Sequence, residues 1–343
     1  MNNMKKTVDL VIPEKCYSMV DCWEAIMTMI LIHFEKEPSV IYSGLDFYYD
    51  VSKEEQESIS LENIFYNTFS LTNLTIVEET LKFYELYFSL AIQVEKSETV
   101  DEMYNSILQE LQDNKPVVVF VDTILCKFNR MYQKFSYSHA IIISGVDNGE
   151  CLVLDPTQNL EPLKIGIEEV FACSTALLTF NNKDKYTVDG KELLKQNFER
   201  NNTRSATRKT TRIENIKNLF DAISNNVEIV SQSFDNQEES LNTMFAWLFK
   251  NTSINIKNYT LFVQKNYSNA ADTVSVLLQE CQEKWMILGK TFMRMYYSSK
   301  KVRDEQFKKI SLLFDDIYSL EQKITKELMI LFNLNSNESG EII

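Results

Sequence analysis

Chain breakers are scarce in this sequence. Glycine occurs 7 times and proline 5 times in 343 residues. All five prolines (Pro13, Pro38, Pro116, Pro156, Pro162) fall in the first 162 residues, and after Gly190 the only glycines are Gly289 and Gly340. So long a stretch without breakers excludes a turn-rich β architecture there and predicts an all-α domain. Histidine is rarer still, with two copies, His33 and His139. Two isolated histidines cannot complete a usual zinc set, and Cys16 and Cys22 lack C-x-x-C spacing, so no metal is expected. No apolar run reaches 18 residues, which excludes a transmembrane helix. The opening MNNMKKTVDLVIPEK carries two lysines but no apolar core, so it does not read as a secretory signal. The six cysteines follow no regular spacing, so reduced thiols in the cytoplasm are expected rather than a disulfide framework. A G-x-x-x-x-G-K-[ST] motif is absent too, so no ATP step and no cofactor are expected.

Positive charge is lacking in one half only. Residues 1–180 hold 28 Asp+Glu against 12 Lys+Arg, a balance of −16; residues 181–343 hold 21 against 23, a balance of +2. The first half should repel nucleic acid and attract cations, amines among them; an acidic surface kept for solubility explains the same charge.

What is present divides the chain. In the first half, Cys22 to Phe34 has helical spacing, with Trp23, Ile26, Met29 and Ile30 on one face, and helical patterns recur around 59–67, 76–90 and 99–112. Short β-branched runs follow at Val117–Val121, Ala140–Ser144, Cys151–Leu154 and Ala176–Phe180, with Asp147-Asn148-Gly149 as a turn. Helices first and strands later predict an α+β catalytic domain over 1–182, with an antiparallel sheet. Residues 183–212 read as a basic polar linker or loop, or as a docking patch for an acidic partner. Residues 213–335 read as a helical bundle, opened by a capping box at Thr211 and Glu214, and 336–343 as a disordered tail. One stripe runs Ala270, Val274, Leu277, Cys281, Trp285, Leu288, Phe292, Met295; another runs Phe307, Ile310, Phe314, Ile317, Ile324, Leu328, Leu331. These are core faces, and the long amphipathic helices suit a homodimer interface.

Three residues form an ordered set. Cys22 opens the apolar helix, His139 opens an apolar strand, and Asp155 ends the next strand before Pro156. A thiol nucleophile, its base and the orienter of that base need such settings. His33 lies eleven residues after Cys22 on the same helix, about 16 Å away at the α-helical rise, so His139 is the remaining base. A helix N-terminus favours thiolate over thiol, and the Cys22 N–H can help hold an oxyanion. Asp155 is expected to accept the Nδ1–H of His139. The other outcome is a buried Cys, a strand His and a turn Asp that never meet.

The pattern Asp21-Cys22-Trp23-Glu24-Ala25, His139-Ala140-Ile141-Ile142-Ile143-Ser144-Gly145 and Asp155-Pro156 resembles the papain-like fold in its bacteriocin-leader peptidase (C39) form. That family carries Gln-x-x-x-x-Asp-Cys-Gly-x-Ala at its nucleophile. Here the Gly is Trp23, and the Gln, the side-chain oxyanion donor, is Cys16; a thiol is a weak donor. In layout the chain also resembles the family of the butirosin-pathway acyltransferase, which pairs a papain-like domain with a helical one, and the related cysteine-protease-like amide synthetases of closthioamide biosynthesis. Ser43-Gly44-Leu45-Asp46-Phe47-Tyr48 resembles the Gly-rich aromatic stretch after their nucleophile helix.

This resemblance implies transfer of an acyl group from an acyl or peptidyl carrier protein through Cys22 to a small amine or diamine. Cys16, Tyr17, Asp21, Trp23 and Ser138 are the candidates for substrate contact or the oxyanion hole. Water must be kept out, by the helical half or by an edge carrying Tyr42, Tyr48 and Tyr49. The rivals are a peptidase or hydrolase with the same three residues, and an inactive binding module. No nucleic-acid or membrane partner is expected.

Overall fold

The computed structural model describes residues 5–11, 22–44, 81–82, 84–134, 136, 138–158, 161–183, 189–204, 210–228, 230–231 and 239–334. The chain forms two compact units, residues 1–41 with 71–188, and residues 42–70 with 189–343.

The first unit is built on an antiparallel sheet of seven strands: β1 Lys5–Thr7, β2 Leu90–Glu95, β3 Val117–Asp122, β4 Ser138–Asp147, β5 Glu150–Leu154, β6 Leu163–Gly166 and β7 Ser174–Asn182. The order is β2-β7-β3-β4-β5-β6, with β1 paired to the second half of β4. The β3 run VVVFVD and the β4 run SHAIIISGVD are β-branched and buried nearly throughout, as strands covered on both faces must be. On one face Val117, Val119, Val121, Ile141 and Ile143 meet α2 (Val100–Gln112) and α3 (Ile167–Cys173). On the other, Val118, Ala140, Ile142 and Leu154 meet α1 (Cys22–His33) through Ile26, Met27, Met29 and Ile30. Asn148 and Gly149 take φ of 54° and 84° between Asp147 and Glu150, the left-handed pair that a two-residue hairpin loop requires. At Gly145 a Cβ would stand 2.6 Å from the Lys6 carbonyl oxygen, so β1 can pair there only against glycine.

The α+β class and the four expected strands are as the sequence reads. Residue 90 is not helical: the helix covering 84–88 ends and β2 begins at Leu90. The edge strands β1, β2 and β6 carry no clear alternation and depend on their partners. The helical pattern at 59–67, the aromatic stretch 45–49 and the tail lie outside the described residues.

The second unit contains α4 (Gly190–Asn202), α5 (Arg212–Asn225), α6 (Glu239–Tyr267), α7 (Asp272–Tyr296) and α8 (Lys300–Leu331). Within the expected polar linker over 183–212, residues 190–202 are therefore helix. Asp189 caps α4 by accepting from the Lys191 N–H at 2.9 Å, and Leu193, Leu194 and Phe198 are buried. Its asparagines mislead as solvated residues: Asn197 donates to Ser43 Oγ at 2.7 Å and Asn202 to the Phe198 carbonyl at 2.8 Å, all inside the unit. Ser43, in the turn Pro38–Ser43, is fully buried. The Thr211–Glu214 capping box is formed. Aromatic rings fill the core, with Phe220 stacked on Phe314 at 4.0 Å between centroids, and Phe220 and Phe249 beside Trp285. Along α7 the buried residue is Leu278 rather than Leu277, and Ala270 is exposed, because the stripe shifts by one place at the helix start. In the interior Arg212 forms a two-point ion pair with Glu321, which also accepts from Cys281 Sγ and Trp285 Nε1 at 3.4 Å each.

Candidate active site

Cys22 is the first residue of α1, so its sulfur sits at the end of the helix where backbone N–H groups lack helical partners. The helix starts a run, Ala25 to Leu31, that is buried along its whole length, so the sheet fixes its axis. β4 begins at Ser138 and β5 ends at Leu154, and antiparallel pairing brings the two to one end of the sheet. Asp155 follows directly on the last residue of β5, at the end of the sheet where β4 begins with Ser138 and His139.

The three residues meet there. His139 Nε2 lies 2.7 Å from Asp155 Oδ2, and the Cys22 sulfur is within hydrogen-bonding reach of the same imidazole. The ring is thus turned the other way from the sequence expectation, which gave Nδ1 to the carboxylate. Cys22 is half-buried, while His139 and Asp155 are only 4% and 7% exposed, so Cys22 is the most exposed of the three.

The electrostatics follow. Burial alone would push the imidazole down; attraction to Cys22, then the bond to Asp155, outweigh it and hold His139 up at about 10. Burial likewise opposes the Asp155 charge, yet the His139 and Thr157 bonds hold its carboxyl below the usual carboxylate range.

Two neighbours of Asp155 escaped sequence reasoning. Its Oδ1 accepts from the Thr157 N–H at 3.0 Å and the Thr157 hydroxyl at 2.7 Å, and its Oδ2 accepts from the Gln158 side-chain amide. The Gln158 N–H also closes a turn on the Asp155 carbonyl at 3.0 Å. Asp-Pro-Thr is a turn signature with a self-bonding carboxylate, and that signal was available.

Trp23 is half-buried, stacked on Phe120 at 5.6 Å and edge-on to Tyr84 at 5.8 Å. Ser138 is half-buried and faces Asp122 in the β3–β4 register. Cys16, Tyr17 and Asp21 lie outside the described residues, as do Tyr48 and Tyr49; Tyr42 is half-buried in the second unit. His33 sits at the far end of α1, its Nε2 2.8 Å from the Asn114 carbonyl oxygen. Cys126, Cys151, Cys173 and Cys281 are buried; burial and nearby Glu168 push Cys151 up to about 12. Among the described residues no cluster of three His, Cys, Asp or Glu could hold a metal, and no helix is long and apolar enough to cross a membrane.

A model of the Peptidase_C39 like family matches residues 19–171, the stretch that holds Cys22, His139 and Asp155. The first unit has the C39-like, papain-type fold. Among solved structures, a C39-like peptidase from Bacillus anthracis matches at 14% identity with a TM-score of 0.23, over 31% of this chain. The match spans 58% of that structure's own chain. No curated protein matches.

Proposed function

We propose that this protein is a cysteine-dependent acyltransferase that forms an amide through an acyl-Cys22 thioester, taking its acyl group from a carrier-protein thioester and delivering it to a small amine in the cytoplasm. The observation that carries the reading is His139, bonded through Nε2 to Asp155 and within hydrogen-bonding reach of Cys22. The attraction between sulfur and imidazole is mutual, so an imidazolium at 139 favours thiolate at 22.

In the first half-reaction the thiolate attacks the donor carbonyl. The oxyanion forms beside the N-terminal turn of α1, whose backbone N–H groups point toward the sulfur end of the helix. The donor thiol then leaves with the proton of His139. In the second, the amine attacks acyl-Cys22, neutral His139 takes the amine proton, and Cys22 leaves as thiolate, which restores the ion pair. Thioester exchange is nearly balanced and amide formation from a thioester runs downhill, so no other activation is required. Cys16, at the place of the C39-family glutamine, is a weak donor; an activated thioester needs that donor less than a peptide bond does.

A second reading, peptide hydrolysis by the same three residues, is favoured by the family description itself. Intact-mass measurement separates the two. Wild type mixed with short acyl thioesters is expected to gain the acyl mass and to release it as amide when a diamine is added, while Cys22→Ala gains nothing. Release as free acid whatever amine is present, or cleavage of peptides with no thioester uptake, would favour the hydrolase.

A further inference from the structure

We propose that Gln158 is a positioning residue that holds the Asp155 carboxylate against His139 and so sets the pH range over which Cys22 stays reactive. The inference rests on the reading of Cys22, His139 and Asp155 as the reacting set.

The carboxylate of Asp155 has about four lone-pair sites, and four donors meet them. Thr157 supplies two to Oδ1, from its N–H and its hydroxyl; His139 and Gln158 share Oδ2. The Thr157 contacts come with the turn, since an aspartate commonly accepts from the residue two places on. Gln158 differs. Its backbone N–H already closes the turn at 3.0 Å, so its side chain is not needed for turn geometry, yet the amide reaches the oxygen bound by the catalytic imidazole. Gln158 itself is half-buried, and its amide meets a carboxylate that is nearly covered. Buried Pro156 fixes the backbone between them. A carboxylate filled on both oxygens cannot rotate off the ring. The donor must also be neutral and unable to accept a proton, which an amide is and a carboxyl is not.

The test is the rate of Cys22 alkylation by iodoacetamide between about pH 4 and pH 10, read by peptide mapping, with thermal midpoints for each variant. Wild type is expected to react on a plateau that extends well below the ordinary thiol range. A single wild-type rise near about 8.5, the ordinary thiol value, would remove the Cys22–His139 pairing itself, whatever Gln158 does. Given the plateau, Q158L is expected to lower it roughly tenfold, the worth of a hydrogen bond to a charged group. Q158E is expected to lose more at neutral pH, through repulsion of Asp155, and to recover as the pH falls and the introduced carboxyl gains a proton it can donate. A plateau lowered evenly in Q158L beside a loss in Q158E that shrinks as the pH falls, at similar midpoints, supports positioning. Wild-type profiles in both, or an equal loss at every pH that follows a lowered midpoint, overturn it.

Discussion

Both units bury charge in an apolar interior, and they do it in opposite ways. In the first, the chain of ionisable groups runs from Asp155 through His139 and ends at half-buried Cys22. In the second, Arg212 and Glu321, with side chains 7% and 1% exposed, close on each other at two points. A buried relay whose end member is partly exposed can pass a proton to something that arrives; a closed pair can only fix how helices pack. The same contrast appears in the backbone. The sheet brings three sequence-distant residues to one edge, while the bundle spends its side chains on stacked rings such as Phe220 on Phe314.

Four measurements would break or sharpen that contrast. The largest effect is expected from His139→Gln, which should cut acyl transfer by about 10²–10⁴-fold, the usual weight of a general acid–base group, and leave the fold intact; a modest loss would deny the relay its base. Next, Glu321→Ala should destabilise the protein by roughly 3–5 kcal/mol because it strands a buried guanidinium, yet leave Cys22 alkylation of the folded protein unchanged. Replacing the pair together, Arg212→Met with Glu321→Leu, should recover most of that loss in a thermal or denaturant midpoint. Any change in Cys22 reactivity from these variants would mean the pair does more than pack.

Third, Asp155→Asn keeps an acceptor for the ring but removes the charge. Transfer should fall by about 10–100-fold, and the alkaline edge of the pH profile should move down from about 10. The sign for stability can be worked from the same groups. His139 is raised, so its contribution is full below about 6.5 and fades as pH rises towards about 10. Asp155 is lowered, so its contribution is present above about 3.9 and is lost as pH falls below it. The unfolding midpoint of wild type relative to Asp155→Asn should therefore show its widest gap between those limits. The smallest effect is expected at Gly289, where a Cβ would come within 3.0 Å of the Ala246 carbonyl oxygen on α6. Gly289→Ala should cost about 1–3 kcal/mol through overpacking with no change in the site.

The two units were also unequally legible. β3 and β4 stand out because their short, continuous β-branched runs mark strands buried on both faces, and β5 and β7 because short apolar runs end in turns. Cys22 and His139 could be paired by elimination, since a straight helix keeps His33 far from the sulfur. The ring orientation could not be read, because residue type does not say which imidazole nitrogen meets the carboxylate. Gln158 was invisible for a similar reason: a side-chain amide becomes informative only once its partner is known. In the second unit periodicity revealed the stripes of α7 and α8, but α4 read as linker. Its buried asparagines find partners at Ser43 and in its own backbone, and sequence gives no sign of such satisfaction.

The central claim is that Cys22, His139 and Asp155 act as one charged relay in solution. With two histidines in the chain, imidazole titration by nuclear magnetic resonance tests it most directly. The account expects the His139 ring to stay protonated past neutrality, with a midpoint near about 10, and to lose that stabilisation in Cys22→Ala. A His139 ring that titrates at the ordinary value of about 6.5, indifferent to the sulfur, would contradict it.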